Sequence, residues 1–292
     1  MPRTIHTILS QDKSLLAAAL ELDDSTARVE VQCLLQHVMG VGRAYLFAHP
    51  ERVLNETEDA RYQALLLRRK NGEPIAYIFG EREFFGLSFG VTPDTLIPRA
   101  DTELLVELVL QSLPPVSAMK EEGCSMRVLD MGTGSGAIAL SVAHQRPDVD
   151  VWACDASVAA LDVARSNAQG LNIRTVKFVE SNWFSAFNGQ HFDIIVSNPP
   201  YIAANDHHLS QGDVRFEPLS ALASGPDGLD DIRHIVAQAG AYLETNGWLM
   251  FEHGYDQAAQ VRALLQTSGF VAVFSMKDLS GIERCSGGRF LG

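Results

Sequence analysis

The residues best suited to chemistry stand together in Asp193-Ile194-Ile195-Val196-Ser197-Asn198-Pro199-Pro200-Tyr201. An apolar run that reads as a strand ends in Asn-Pro-Pro-Tyr, and open α/β sheets bind their ligands beyond the carboxyl ends of the strands. Two consecutive prolines fix the backbone and remove its N–H donors, so the corner presents acceptors only. The Asn198 side-chain oxygen and the Pro199 carbonyl can both accept hydrogen bonds from one NH2 group. An amide-like NH2 is a weak nucleophile, because its lone pair is delocalised into the neighbouring carbonyl. Two acceptors would fix its approach to an electrophilic methyl group and stabilise positive charge developing on nitrogen. Tyr201 offers a face on which a planar group can stack. No His or Cys nucleophile stands in the motif, and none is required when the proton leaves after transfer. A rigid, ligand-free turn would be the plain reading of Asn-Pro alone; the segments upstream argue against it.

The first of these, Val128-Leu129-Asp130-Met131-Gly132-Thr133-Gly134-Ser135-Gly136, runs from a strand through glycines into a helix. Glycines let the backbone turn tightly and approach a ligand closely. Dinucleotide binders share such loops but space the last glycine as G-x-G-x-x-G. The tighter spacing of Gly132, Gly134 and Gly136, with Asp130 ahead of it, suits a cofactor with an amino-acid tail and no pyrophosphate. Asp155, about twenty residues on, ends the next strand, where a carboxylate can accept both hydroxyls of a ribose. Capping the helix that begins near Ser157 is a compatible second role. Glu180-Ser181-Asn182-Trp183-Phe184 ends the third strand. There Asn182 offers an amide oxygen to the exocyclic amine of an adenine. Trp183 offers an aromatic face or edge, or is a core aromatic.

These segments need a scaffold that brings strand ends together. From Met126 onward, strands (127–130, 151–154, 176–179, 193–197, 248–252 and 270–276) alternate with helices (137–144, 158–169, 229–243 and 255–267). Such alternation implies a doubly wound, mostly parallel sheet with helices on both faces. The first 75 residues read as helical, with apolar spacing in 14–20, 27–39 and 56–70. Gly40 is a C-cap candidate. Arg68, Arg69 and Lys70 fall in a last helical turn, where they complement the helix dipole or form a docking patch. Glu73-Pro74-Ile75 breaks the pattern. Tyr77–Gly80 and Glu83–Val91, separated by Gly80-Glu81-Arg82, read as a β-hairpin. Asp101–Leu113 is a further helix that Thr102 can cap, with Arg99 and Glu103 flanking its start as a local ion pair or as part of a flap over the cofactor. Pro114–Ser125 reads as a linker. Asp213, Arg215 and Glu217 alternate in the long loop after the corner, as a solvated loop or as a lid or docking surface.

The chain has 292 residues, 46% hydrophobic and 20% charged, with a formal net charge of -13. This is the composition of a globular protein with room for a small domain and a larger one. The acidic balance argues against direct nucleic-acid binding, which usually needs a basic face. The four cysteines, Cys33, Cys124, Cys154 and Cys285, form no C-x-x-C pair, so no zinc site is expected. Cys154 is expected to be buried and inert. No secretory signal and no membrane span is read, and a cytoplasmic location follows as the expectation.

With these residues in place, the chain resembles the release-factor glutamine methyltransferases over nearly its whole length. The likeness includes Leu96-Ile97-Pro98-Arg99-Ala100-Asp101-Thr102-Glu103, the glycine loop, Asp155, Trp183, the Asn-Pro-Pro-Tyr corner and Gln211-Gly212-Asp213-Val214-Arg215-Phe216-Glu217-Pro218. Ala100 stands where the family usually has proline, and Asn182 where it commonly has an acid. The resemblance implies a seven-stranded Rossmann-like class I methyltransferase sheet. It also implies a helical substrate-recognition domain over 1–75, a hairpin linker over 76–95 and a catalytic domain over 96–292. S-adenosylmethionine is the implied cofactor, held by Gly132, Thr133, Gly134, Ser135, Gly136, Asp155, Asn182, Trp183 and Asn198. The implied substrate is the glutamine of a Gly-Gly-Gln motif in class I peptide chain release factors, held at Asn198, Pro199, Pro200 and Tyr201 and methylated on its side-chain nitrogen by a monomeric enzyme.

Three rivals share parts of this reading. A glutamine methyltransferase acting on a ribosomal protein would differ only in its docking surfaces. An adenine-N6 methyltransferase of DNA or RNA would use the same corner but must flip a base and grip phosphates; the acidic charge and the lack of a basic target-recognition domain count against it. A cofactor-binding module that regulates translation without turnover would not need an intact corner.

Overall fold

The computed structural model describes residues 3–116 and 125–292. Most of the expected linker 114–125, and Cys124 with it, lies outside the described residues. The chain forms two compact units, one of residues 1–80 with 210–216, the other of 81–209 with 217–292.

The first unit contains α1 (Ile5–Leu20), α2 (Asp24–Met39), α3 (Arg43–Ala48), α4 (Glu56–Lys70) and α5 (Ile75–Phe79) around a core that includes Ile8, Leu34, Leu35, Tyr62 and Leu66. Asn55 and Glu58 form a reciprocal capping box at the start of α4, an arrangement that satisfies two otherwise orphan N–H groups. Gly40, at φ 65, closes α2 as its spacing predicts. At the basic end of α4, Arg69 is internal, Arg68 is exposed and Lys70 is half-buried. Arg69 is 3% exposed and binds Glu30, Asp213 and the carbonyls of Gly72 and Glu73, while Arg68 pairs with Glu73.

Tyr77–Gly80 is not a strand. Tyr77, Ile78 and Phe79 lie in α5 despite their aromatic and β-branched propensity, with Ala76, Tyr77 and Ile78 buried, and Gly80, at φ 75, ends it. The hairpin lies further on, β1 (Glu81–Phe84) against β2 (Leu87–Gly90), turning through Phe85 and Gly86 at φ 51 and 76. Two positive φ values in a two-residue loop match the twist of the paired strands.

The second unit is built on a seven-stranded sheet in the order β5-β4-β3-β6-β7-β9-β8. Its strands are β3 (Arg127–Met131), β4 (Asp150–Asp155), β5 (Lys177–Glu180), β6 (Phe192–Ser197), β7 (Leu243–Glu252), β8 (Val271–Lys277) and β9 (Glu283–Arg289). The strands β3 to β7 are parallel, and β9 runs antiparallel between β7 and β8. Both faces are covered, so successive residues of one strand enter opposite cores. Val128, Ile194, Val196 and Met250 pack with α6 (Glu103–Ser112) and α7 (Ala137–Gln145). Leu129, Ile195, Leu249 and Phe251 pack with α9 (Asp230–Ala239) and α10 (Ala258–Thr267). Between β4 and β5 runs α8 (Val158–Gly170).

The sequence reading missed β9, whose segment Glu-Arg-Cys-Ser-Gly-Gly-Arg has no apolar alternation. Its glycines make room for neighbours. A Cβ at Gly287 would lie 2.9 Å from the Phe274 ring and from the Leu249 carbonyl, and one at Gly288 would lie 2.9 Å from Phe270.

Candidate active site

Strand order reverses between β3 and β6, and there the carboxyl ends of the two strands open a crevice. The glycine loop leaves β3 on one side of it and Asn-Pro-Pro-Tyr leaves β6 on the other. A cavity of about 230 Å3 is lined there by Gly132, Thr133, Gly134, Ser135, Asp155, Asn182, Trp183, Asn198 and Pro200, together with residues of 94–102 and 218–221. One water takes about 30 Å3 of liquid, so this space is of ligand size. Gly136, Pro199 and Tyr201 are not in its wall.

The glycine loop is shaped by its own backbone. Gly132, Gly134 and Gly136 have φ of 70, 55 and 84, values open to glycine and costly for other residues. A Cβ at Gly136 would also come within 2.9 Å of Leu140 and 3.2 Å of Ala164. Asp130 anchors the loop from below, accepting from Thr133 Oγ1 at 2.6 Å and from the Ala139 N–H at 3.1 Å. It is fully buried with Oδ1 unpartnered, and burial pushes its carboxyl up to about 7. Asn167 ties the loop to the hairpin: its amide donates to the carbonyls of Ser135 and Gly90 and accepts from the Gly90 N–H.

Asp155 accepts from the Gly134 N–H at 3.0 Å and the Ser157 N–H at 2.9 Å. The cap of α8 is Ser157 itself, through its hydroxyl, so Asp155 serves the loop. Its carboxylate keeps lone pairs for a further donor, as hydroxyls of a ribose would supply. Trp183 sits at φ 49, rare for a bulky residue. The Ser181 hydroxyl holds its carbonyl at 2.7 Å, and its ring lies 3.8 Å from where a Cβ on Gly132 would be. Asn182 is exposed at the rim. The donor and acceptor set thus fits a nucleoside with an amino-acid tail.

At the corner, Asn198 donates through Nδ2 to Thr102 Oγ1 at 3.1 Å, and its Oδ1 is buried without a hydrogen-bond partner. Thr102 in turn donates to Glu252 Oε2 at 2.5 Å, and the Tyr201 hydroxyl donates to Glu252 Oε1 at 3.1 Å. Thr102 does not cap α6. Burial pushes Glu252 upward against the pull of these two hydroxyls, and burial with the Glu252 charge pushes Tyr201 upward. Sequence reasoning missed Glu252. A carboxylate ending the apolar run Trp-Leu-Met-Phe at the carboxyl edge of the sheet was the available signal.

Arg99 and Glu103 do not pair with each other. Glu103 accepts from the Phe85 N–H, and Arg99 pairs with buried Glu217, which also accepts from the Ile97 N–H at 3.0 Å. The segment 96–99 is thereby hooked to the loop after the corner. Asp213 and Glu217 part company: the first binds Arg69 in the helical unit, the second binds 97–99. Cys154 is buried as expected, and burial pushes its thiol upward.

Comparison with known proteins agrees in sequence and in fold. Residues 11–80 match the PrmC N-terminal domain and residues 107–214 the Methyltransferase small domain. A release factor glutamine methyltransferase of Burkholderia pseudomallei is 50% identical over 283 residues, 95% of each chain. One of Xylella fastidiosa is 50% identical over 276 residues, 94% of this chain and 97% of that one. Among solved structures, a methyltransferase from Pyrococcus furiosus superposes with a TM-score of 0.52 at 20% identity, covering 80% of this chain and 99% of that one, and shares the fold.

Proposed function

The chain belongs to the release factor glutamine methyltransferases, and we propose that it methylates the side-chain nitrogen of the Gly-Gly-Gln glutamine in class I peptide chain release factors. The observation that carries this reading is the buried, unpartnered Oδ1 of Asn198 in a corner without backbone donors. S-adenosylmethionine, the methyl donor, supplies an electrophilic methyl group on its sulfonium. Gly132 to Gly136 would leave room for its amino-acid tail, Asp155 would receive ribose hydroxyls, and Asn182 and Trp183 would border the adenine. Asn198 Oδ1 accepts one N–H bond of the glutamine amide, and the Pro199 carbonyl, which the cavity wall does not include, is the acceptor proposed for the other. They fix the direction of its nitrogen and stabilise the positive charge that grows on it. Pro200 forms the adjoining wall, and Tyr201 acts through its hydrogen bond to Glu252.

The helical unit is the part that recognises the partner protein, and the sheet unit carries the transfer. The enzyme works as a monomer in the cytoplasm without binding nucleic acid; its charge of -13 supports the last point. Among the described residues, no helix is long and apolar enough to cross a membrane.

The test is methyl transfer from labelled S-adenosylmethionine to a purified class I release factor, beside the same factor with Gln→Ala in its Gly-Gly-Gln motif. Label on the first alone is expected. Label on neither, with label on ribosomal protein or nucleic acid, moves the substrate to one of those.

A further inference from the structure

We propose that Thr102 and Glu252 are positioning residues that set the orientation of the Asn198 carboxamide, so that the corner takes an NH2 group and refuses a carboxylate. The inference rests on the release-factor reading and adds the reason for its selectivity. A carboxamide has two ends of nearly equal shape, one a double donor and the other an acceptor, and its neighbours decide which end faces where.

Here the neighbours leave one arrangement. Glu252 accepts at both oxygens, from Tyr201 at 3.1 Å and from Thr102 at 2.5 Å. With Glu252 ionised, the single proton of the Thr102 hydroxyl is committed to it, and the Thr102 lone pairs can only receive. They receive Asn198 Nδ2–H at 3.1 Å. Turning the amide over would set the Oδ1 lone pairs against those of Thr102 and place N–H bonds where Oδ1 now stands. The sheet fixes the meeting of these groups. Ser197 of β6 pairs with Phe251 of β7, so Asn198 and Glu252 are the next residues in register. Thr102, just ahead of α6, is 4% exposed and Glu252 2% exposed, so water does not compete for these bonds.

Thr102→Val keeps the side-chain shape and removes the hydroxyl. Asn198 Nδ2 then loses its partner, nothing holds the amide in one orientation, and its NH2 can take the place of Oδ1. Turnover of release factor should fall roughly tenfold to hundredfold. Affinity for S-adenosylmethionine, read by calorimetry, should stay within about twofold, and Thr102→Ser should restore turnover to within about threefold. A release factor carrying Glu in place of the methylated Gln should become an inhibitor of Thr102→Val and not of the wild type, an inversion that general loosening of the fold does not produce.

The proposal is overturned if Thr102→Val turns over within about twofold of wild type while Asn198→Ala is inactive. It is also overturned if the losses come with an equal loss of cofactor affinity and no gain of the Glu-bearing inhibitor. Near wild-type turnover by Asn198→Ala would instead overturn the role of the corner itself. Should Thr102→Val not fold, Thr102→Ala, which also removes the hydroxyl that receives Asn198 Nδ2, carries the same test: lost turnover with gain of the inhibitor is expected, and unchanged discrimination overturns the proposal.

Discussion

The two walls of the cavity are built in different ways. The glycine loop is held by its own backbone and by near neighbours. Asp130 and Thr133 are three positions apart, and Gly134 and Asp155 twenty-one. The Asn-Pro-Pro-Tyr corner is held by side chains from remote segments. Asn198 and Thr102 are 96 positions apart, Thr102 and Glu252 150. The first wall needs special φ values and tolerates few side chains. The second needs one amide to point one way, which a local motif cannot enforce.

The difference predicts that substitutions on the two walls separate turnover from binding. The largest effect is expected at the corner. Asn198→Ala removes an acceptor from the growing positive charge and should lower kcat about 10²- to 10³-fold, by analogy with loss of one oxyanion-hole donor. Calorimetry should find cofactor affinity little changed. A kcat near wild type would mean that the corner does not hold the reacting amide.

On the other wall, Asp155→Ala should do the reverse. It removes the acceptor of the Gly134 and Ser157 N–H groups as well as the proposed ribose contact. Affinity for S-adenosylmethionine should fall roughly tenfold to hundredfold, with kcat at saturating cofactor largely kept. Equal binding by variant and wild type would take Asp155 out of the site.

The smallest effect concerns stability. Burial raises the Asp130 carboxyl from 3.8 to about 7 in the folded protein. The folded chain therefore keeps a proton that the unfolded chain has lost. The contribution to stability is full below the unfolded value of 3.8 and is lost as pH rises through about 7. Asp130→Asn keeps one oxygen to accept from both Thr133 and Ala139 and cannot ionise. Between about pH 5 and about pH 8 the Tm of the wild type should drop by a few degrees more than that of Asp130→Asn. Parallel pH curves would show that the loop anchor does not titrate.

The same contrast explains how much was legible in the sequence. The glycine spacing, Asp155 and Asn-Pro-Pro-Tyr were readable because each is local, a turn or a strand end whose chemistry is carried by consecutive residues. Parallel strands buried on both faces show as apolar runs, so the sheet and its crevice were readable as well. Two elements misled. Tyr77–Gly80 has strand composition, but Tyr77 to Phe79 complete a short helix that Gly80 ends, with Ala76, Tyr77 and Ile78 buried in the tertiary structure. The strand Glu283–Arg289 has no period, because glycines there yield space to Phe270 and Phe274. The charged residues were legible as charges but not as pairs. Arg99 passes over Glu103 for Glu217, and Arg69 turns inward to Glu30 and Asp213.

The sequence by itself thus determined the candidate parts of the site: a glycine loop after a strand, an acid that ends the next strand and a corner without backbone donors. Only the tertiary structure decided which acceptor stays free. That choice depends on the single proton of Thr102 being taken by Glu252. The three groups meet only because β6 and β7 pair in register and the start of α6 reaches their ends, and a hydrogen bond forms only between groups the fold has already brought within about 3 Å.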